Sequence, residues 1–453
     1  MTNDQWIIED VLRLQFRTCS NIDIKQEINT FHQETYMKIN FVHGAIKMTA
    51  ISAAICSMFC GQVAVAQPQP ISKISDDVVR IGVLTDLSGT FSDFAGKGAV
   101  EAVKMAVEDF GGKVDGKPIE VIAADHLNKA DVAASTAREW IDQRKVDMIV
   151  DISGSATALA TIKIAAEKKR IAIVTGGGTT RITNEDCTPY SLHYNHDTAA
   201  LANVAGKYIV KQGGTSWYFL TADYSFGYSL QADTSAVVEA NGGKVLGNVK
   251  HPFNTSDFSS YLLQAQSSGA KVIGLANAGS DTINSIKTAA EFGMLSSGKQ
   301  KFAGLLVFIN DVHALGLKTA QGLYITEGFY WDLNDETRKW SERFYKRVGK
   351  MPSAIQAADY SSTMHYLNAV KATGTDNADT VMKKMKEMPV NDFYTKNGKI
   401  RADGLLIHDM YLMQVKSPAQ SKRPWDYYNL LATVPGTEAY PSLASGSCAF
   451  ARR

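Results

Sequence analysis

The sequence has few cysteines, almost no net charge and no long hydrophobic segment. Its 453 residues include 47 lysines and arginines against 46 aspartates and glutamates, a formal net charge of +1. Such a balance lacks the basic surface that nucleic-acid binding needs, so we expect no nucleic-acid partner. The longest apolar run, residues 48–60, has about thirteen residues and is too short to span a bilayer, which takes ~20. The length beyond that run is enough for two domains of ordinary size.

Residues 37–66 have the composition of a secretory signal peptide. A short basic region precedes the apolar run, and Ala64-Val65-Ala66 supplies the small residues that signal peptidase requires. We expect cleavage directly after this triplet, so that the mature protein begins at Gln67 and is exported to the periplasm. Because a basic region ought to begin such a signal, we expect translation to start at Met37 and residues 1–36 to be a misassigned start.

The cysteines also fit an exported protein. Of the five in the sequence, only Cys187 and Cys448 follow the expected cleavage site. A pair of cysteines in an exported chain predicts one disulfide, here tying the C-terminal tail, residues 441–453, to the first half of the chain. Two buried free thiols are the alternative. A lipid anchor is disfavoured, because neither Cys56 nor Cys60 follows the small residue that lipidation needs.

After residue 77, short β-branched runs alternate with alanine-rich helical stretches in two successive series. This alternation predicts parallel sheets with helices on both faces. Two series of similar size predict an α/β protein of two doubly wound parallel-sheet lobes rather than one large sheet. Strands are predicted at residues 78–84, 119–124, 146–152, 171–174, 216–221, 245–249, 272–276, 304–308 and 405–415. An irregular tail is expected after residue 415.

Small polar residues follow four of these strands and are candidates for ligand binding. In open α/β sheets ligands bind beyond the carboxyl ends of the strands, where helix N-termini offer unpaired backbone N–H groups to an anion. Hydroxyls and glycine amides there suit a carboxylate, and aromatic side chains suit its apolar part. Alternatively, the polar residues cap helices and the aromatic residues pack between lobes. The candidates are Phe94, Ser153, Ser155, Gly177, Thr179, Tyr224, Asn277, Asp281 and Tyr330.

Several of these positions lie in or beside motifs that resemble the leucine/isoleucine/valine-type periplasmic binding proteins of ABC importers. The resemblance runs from about residue 79 to 415, and the order of the motifs is more specific than any one of them. It implies that Ser155 or Ser153, with Gly177 and Thr179, holds a ligand carboxylate. It also implies that Phe94 covers the ligand and that Tyr224 and Asp281 hold an ammonium group. The motifs are Asp86-Leu87-Ser88-Gly89, Gly96-Lys97-Gly98, Asp223-Tyr224-Ser225-Phe226-Gly227 and Ala290-Glu291-Phe292-Gly293.

The same resemblance implies a domain organisation and partners. The chain would cross between the lobes three times, near residues 197, 330 and 404. A monomer of this type captures a small carboxylate ligand in the periplasm and delivers it to ABC permease and ATPase subunits in the inner membrane. The expected divisions are 77–197 with 332–404 for lobe 1, 198–331 with 405–440 for lobe 2, and 441–453 for the tail.

Two departures from the family pattern bear on the ligand. Asp151-Ile152 stands where the family usually has Gly-Pro before the serines. The tracts 328–332 and 424–428 resemble a subfamily with members that bind aromatic or other non-amino-acid carboxylates. The sequence therefore favours an aromatic or organic acid, with an amino acid as the alternative ligand.

The motifs of common enzyme classes are missing. Gly89 and Gly96-Lys97 lack the spacing of a phosphate-binding loop, and Gly98 stands where Ser or Thr must follow the lysine. No Gly-x-Ser-x-Gly elbow precedes a suitable His and Asp, and His193 with His196 lacks a third metal ligand at suitable spacing. We therefore expect no enzymatic activity, no cofactor and no metal. A ligand-sensing receptor of the same fold is the alternative function.

Overall fold

The structure is a computed structural model that describes residues 74–451. The predicted signal peptide, the upstream residues 1–36 and the expected cleavage site before Gln67 lie outside the described residues. Within residues 74–451, none of the helices combines the length and the apolar character that crossing a membrane demands.

The first half of the described chain builds a six-stranded sheet. Its spatial order is β2-β3-β1-β4-β5-β6, with β1 parallel to both β3 and β4. Strands β4 and β5 are buried along their whole length, as expected of central strands covered by helices on both faces. The elements are β1 (Val79–Thr85), α1 (Gly96–Phe110), β2 (Lys113–Val114), β3 (Lys117–Asp125), α2 (Ala130–Asp142), β4 (Met148–Asp151), α3 (Ser155–Glu167), β5 (Ile171–Val174) and β6 (Ser191–His193).

The chain then builds a seven-stranded sheet of order β15-β14-β11-β10-β9-β7-β8. Its strands are parallel except β14 and β15, which pair antiparallel at one edge. The first elements are α4 (Thr198–Leu201), a π-helical turn (Ala202–Gly206), α5 (Lys207–Lys211), β7 (Ser216–Ala222), α6 (Ser225–Ala240), β8 (Lys244–His251), α7 (Ser259–Ser267), β9 (Val272–Ala276) and α8 (Ser280–Glu291). They are followed by β10 (Lys301–Gly304), α9 (Ile309–Leu315), α10 (Leu317–Ala320) and β11 (Tyr324–Glu327). The two parallel-dominated sheets confirm the predicted fold class.

After β11 the chain returns to the first sheet before it completes the second. Helix α12 packs beside α1, where the Tyr360 hydroxyl donates to Asp109 at 2.7 Å and Arg343 of α11 pairs with the same carboxylate. The elements are α11 (Asp335–Val348), α12 (Ala354–Thr373), α13 (Ala378–Glu387), β12 (Lys399–Ile400), β13 (Leu406–Ile407), β14 (Met410–Val415), β15 (Tyr428–Val434) and α14 (Gly436–Ala439). The predicted lobe boundaries remain a prediction.

Two predictions of local structure were wrong. The strand expected at 304–308 lies earlier, at Lys301–Gly304, and the buried residues after it form a loop. The tail expected to be irregular contains β15, which extends the sheet beyond β14. The side chains of β15 do not alternate regularly between apolar and polar, and Leu430 and Leu431 are exposed. Such a strand can still form because an edge strand is held by its hydrogen bonds to one neighbour rather than by two covered faces.

The connections between the two sheets converge on one buried polar cluster around Asn195. The Tyr440 hydroxyl donates to Asn195 O at 2.7 Å, and the Tyr394 hydroxyl donates to Asn195 Oδ1 at 2.8 Å. His408 Nε2 lies 2.5 Å from Asn195 O. A Cβ at Gly328 would lie 2.8 Å from Asn195 Oδ1, so only glycine fits where this connection passes the others.

The C-terminal tail is tied to the first half of the chain. Cys187 and Cys448 form a disulfide across 261 residues of sequence, which confirms the predicted pairing. Beside it, Ser447 N donates to Asn184 Oδ1 at 3.0 Å.

Candidate functional site

A cavity with about 240 Å³ of space between atoms lies where the loops of the two sheets face each other. Its walls come from the loops that follow β1, β4 and β5 of the first sheet and β7, β9 and β10 of the second. These are the carboxyl ends of the strands, where open α/β sheets bind ligands. The lining residues are Phe91, Phe94, Gly154, Ser155, Gly176, Gly178, Tyr224, Phe226, Ala278 and Leu306.

One wall of the cavity is made of backbone and small side chains. Helix α3 begins at Ser155, and the first N–H groups of a helix have no partner within the helix. Gly154 has φ +91°, and a Cβ there would lie 2.4 Å from Asn128 Oδ1. A Cβ at Gly177 would lie 2.8 Å from Ala158 Cβ. The absence of side chains at these glycines lets the two loops approach each other and leaves their amides accessible to an anion.

The rest of the lining is mostly apolar and aromatic. Phe91 and Phe94 of the first half lie with ring centroids 5.4 Å apart. Each also meets a ring of the second half: Phe91 contacts Phe253 edge-on at 5.7 Å, and Phe94 contacts Phe308 at 4.6 Å. Such aromatic pairs contribute about 0.5–1.5 kcal/mol each beyond their buried area. They therefore stabilise the closed arrangement of the two halves.

The cavity has polar groups but no charge of its own. Among the described residues that line it, none carries a charged side chain. Tyr224 is the hydroxyl-bearing aromatic residue of the wall, and burial raises the pKa of its phenol well above the ordinary value, so it stays protonated. Backbone N–H groups and hydroxyls therefore provide the polar contacts to a ligand.

The structure brings five of the predicted site residues together at this cavity. Phe94, Ser155 and Tyr224 line it, and Gly177 stands between the lining residues Gly176 and Gly178. Thr179 N donates to Ser155 Oγ at 3.2 Å, which joins the loop after β5 to the start of α3. Their roles in binding stay predictions.

The other four candidates have polar partners within the protein. Ser153 Oγ accepts from Asp86 N at 3.1 Å, and Asn277 Oδ1 accepts from the Thr282 hydroxyl at 2.7 Å. The Tyr330 hydroxyl points to Trp425 O at 3.4 Å, and its ring lies 4.9 Å from that of Tyr428. None of the four belongs to the lining of the cavity within residues 74–451.

Asp281 is the candidate whose surroundings bear most on the ligand. Its carboxylate accepts backbone N–H groups from Asn254 at 3.1 Å and Thr255 at 2.8 Å. Burial raises the pKa of Asp281 to about 6, and these two hydrogen bonds oppose the rise. Both oxygens therefore hold the loop after β8, and the side chain is 1% exposed.

Leu306 and Ala278 were not among the candidates. Leu306 was hidden by the misplaced strand: with β10 ending at Gly304, residue 306 falls in the loop that follows a strand, where ligand contacts are expected. Ala278 gave no signal, because a methyl side chain has no chemistry that a sequence pattern could single out.

Comparisons with known proteins agree on the family. A sequence model of the periplasmic binding protein family matches residues 78–422. A periplasmic binding protein from Burkholderia mallei shares 56% identity with a TM-score of 0.81, covering 83% of this chain and 99% of that one. A branched chain amino acid ABC transporter periplasmic ligand-binding protein from Burkholderia xenovorans LB400 shares 39% identity with a TM-score of 0.75, covering 82% and 99%.

More distant proteins belong to the same group. The Leu/Ile/Val-binding protein homolog 6 of Brucella melitensis biotype 1 is 27% identical over 280 residues, 60% of this chain and 70% of that protein. A solute binding protein of an ABC transporter from Rhodopseudomonas palustris BisB5, in complex with 3,4-dihydroxy benzoic acid, shares the fold at 23% identity and a TM-score of 0.73, covering 80% and 98%. The chain therefore belongs to the periplasmic binding protein family, as a substrate-binding protein of the ABC-transporter, Leu/Ile/Val-binding type.

Proposed function

We propose that this chain is the periplasmic solute-binding subunit of an ABC importer and that its ligand is a small carboxylate with an apolar, preferably aromatic body and no ammonium group. It binds this ligand between two lobes, delivers it to a membrane permease as a monomer, and catalyses no reaction. The observation that carries the proposal is the lining of the cavity, which combines helix and glycine amides with aromatic side chains and has no charged side chain among its described residues.

The amide wall suits a carboxylate. The first N–H groups of α3, with the amides of Gly177 and Gly178, offer several donors to one anion, and the helix dipole favours negative charge at this end. Since Ser155 Oγ already accepts from Thr179 N, its own proton is available to donate to a ligand oxygen. Hydrogen bonds to a charged group contribute about 1.5–3 kcal/mol each.

The rest of the cavity gives an ammonium group no counter-charge. The candidate Asp281 does not belong to the described lining, and its two oxygens accept the amides of Asn254 and Thr255. Bringing an ammonium into a closed cavity without a paired carboxylate would leave a buried charge uncompensated, which costs several kcal/mol. Phe91, Phe94 and Phe226 instead favour a flat apolar body.

Binding requires the cleft to open and close again. The walls of the cavity stand close together and leave little enclosed space between them. A benzoate-sized acid needs a wider cleft, so the two halves must separate to admit it. Contacts of the ligand with both walls then favour the closed form, which is hinge closure driven by differential affinity.

Matched pairs of acids test the ligand class. Leucine and 4-methylpentanoate differ only by the ammonium group, as do phenylalanine and 3-phenylpropanoate, and benzoate adds a short aromatic acid. Thermal-shift screening followed by calorimetry measures each, since any native-state ligand raises the melting temperature. We expect the acid without the ammonium group to bind more tightly in both pairs. Tighter binding of leucine, abolished by Asp281→Asn, would establish an amino-acid ligand instead, and binding of sugars alone would reject a carboxylate altogether.

A further inference from the structure

Two aspartates from distant parts of the chain lie beneath the amide wall. Asp151 is the last residue of β4, and Asp359 lies on α12; both side chains are fully buried. Asp151 O accepts the backbone N–H groups of Thr175 and Gly176, each at 3.1 Å. A Cβ at Gly176 would lie 2.8 Å from Asp151 Oδ1, so the carboxyl lies directly against the loop that lines the cavity.

The two side chains have too few hydrogen-bond donors around them for a pair of ionised carboxylates. Asp359 Oδ1 accepts the Thr175 hydroxyl at 2.5 Å. Among the described residues, Asp359 Oδ2 has no hydrogen-bond partner, and the Thr85 hydroxyl is the side-chain donor that approaches Asp151. A carboxylate can only accept, whereas a protonated carboxyl can also donate. A fully buried carboxylate with so few donors around it would be a poorly compensated charge, whereas the protonated carboxyl is neutral.

The surroundings offer no positive charge that would favour ionisation. The groups that act on Asp151 are the carboxyls of Asp359 and Asp86 and the hydroxyl of Thr85, and Asp359 faces Thr175. Burial raises the pKa of Asp151 well above its usual range, and the Asp359 carboxyl adds to the rise. Burial likewise raises the pKa of Asp359, to about 8. His126, near Asp86, is held neutral because burial lowers its pKa to about 4.

The backbone at this point is strained. Asp151 has φ +72° and the β-branched Ile152 has φ +53°, in the left-handed region that favours glycine. Each such residue costs on the order of 1–3 kcal/mol, and such conformations persist where the surrounding structure fixes them. These two residues lead directly into Ser153, Gly154 and Ser155. The conformation of the Asp151 side chain and the placing of the amide wall are therefore linked.

We propose that Asp151 and Asp359 are both held protonated and, as two neutral buried carboxyls, position the loops after β4 and β5 for the ligand. They are positioning residues and do not touch the ligand themselves. Where the proposed carboxylate ligand is correct, ionising the pair would put negative charge beneath an anion, so affinity would fall as the pH rises.

The protonation of the two carboxyls can be tested without any ligand. A group whose pKa is raised in the folded state stabilises the fold most below its unfolded pKa, and this stability is lost as the pH rises through the folded pKa. The melting temperature of wild type should therefore fall between pH 5 and pH 8.5 relative to that of Asp359→Asn or Asp151→Asn. In these variants the amide keeps the shape of the carboxyl side chain and does not ionise. We expect the difference in melting temperature between wild type and each Asn variant to change by about 2–4 °C or more over this pH range. An infrared band of a protonated carboxylic acid should be present in wild type at pH 7 and reduced in both variants.

The positioning role needs a second readout and a control. With benzoate as the probe, wild-type affinity should fall about tenfold between pH 6 and pH 8.5. The Asn variants should bind benzoate at pH 8.5 as tightly as at pH 6. Asp151→Ala should lose affinity for benzoate. Asp147→Asn is the control, since Asp147 is buried at the other end of β4 with a pKa raised to about 7 by burial. It should alter the pH dependence of stability and leave that of binding unchanged.

The outcomes separate this inference from the proposed function. Melting temperatures of wild type and both Asn variants that run parallel from pH 5 to pH 8.5, with an unchanged infrared band, would overturn the protonation of the two carboxyls. Melting temperatures of wild type and Asn variants that diverge with pH, without any binding of benzoate, would support the neutral carboxyls and reject benzoate as a ligand. Benzoate affinity that falls equally in wild type and Asn variants would overturn the positioning role.

Discussion

Replacing Gly279 by alanine should block closure of the cleft and leave both halves folded. Gly279 precedes α8 in the second half and faces Thr90 and Phe91 of the first. A Cβ at this position would lie 2.4 Å from Thr90 O, 3.2 Å from Thr90 Cγ2 and 3.3 Å from Phe91 Cδ1. Non-bonded carbon contacts are most favourable at about 3.5–4.0 Å, so the halves would have to part by about 1 Å at this point.

The expected loss follows from the contacts that this separation disturbs. The pairs Phe91–Phe253 and Phe94–Phe308 join the halves beside Gly279. At about 0.5–1.5 kcal/mol each, loosening both costs the closed form roughly 1–3 kcal/mol. Ligand affinity should then fall roughly 5- to 150-fold, since 1.4 kcal/mol corresponds to a factor of ten.

Gly269→Ala separates this clash from backbone strain. Gly279 has φ +61° and Gly269 has φ +67°, so alanine is strained at both, but nothing lies within 4 Å of a Cβ at Gly269. Both variants should lose thermal stability, Gly279→Ala the more because its φ of +61° and ψ of −134° lie outside the left-handed region open to alanine, and only Gly279→Ala should lose affinity in calorimetry with the tightest-binding acid of the panel. Small-angle scattering of Gly279→Ala with saturating ligand should keep a larger radius of gyration than wild type. Wild-type affinity and a wild-type scattering profile for Gly279→Ala would refute the reasoning.

Three further predictions concern the site, the disulfide and export. Ser155→Ala should weaken binding of a carboxylate by roughly 1–3 kcal/mol, because the anion loses one hydrogen bond in a buried site; unchanged affinity in calorimetry would remove Ser155 from the site. Cys448→Ser should lower the free energy of unfolding by roughly 3–5 kcal/mol, since the disulfide closes a loop of 261 residues in the unfolded chain; denaturant titration with and without reductant measures this, and equal midpoints would contradict it. Intact-mass analysis of the exported protein should give a chain that begins at Gln67, and a mass that retains residues 37–66 would rule out the cleavage.

The sequence predicted the fold class because its strands are continuous apolar runs. Buried strands such as β4 and β5 are apolar apart from Asp151 at the end of β4, and they are separated by helices whose apolar residues recur on one face. The pairing of Cys187 with Cys448 was also predictable, because only two cysteines remain in the exported chain. Ser155, Gly177 and Thr179 could be placed near a site because the carboxyl ends of parallel strands share one edge of the sheet.

Other features depended on contacts that no local pattern records. Strand β15 was missed because an edge strand takes its structure from one partner, here β14. Asp281 looked free to hold an ammonium group until the structure placed the amides of Asn254 and Thr255 on both its oxygens. Leu306 entered the cavity wall only once β10 was seen to end at Gly304.

The sequence by itself determined the α/β lobes, the disulfide and the edge of each sheet where a ligand can bind, because apolar periodicity, cysteine count and strand direction are local or additive properties of the chain. Only the tertiary structure decided which side chains face the cavity and which are already paired. Two examples are the proximity of Asp151 to Asp359 and that of Gly279 to Thr90. Such contacts join residues far apart in sequence, and their distances depend on how whole helices and sheets pack.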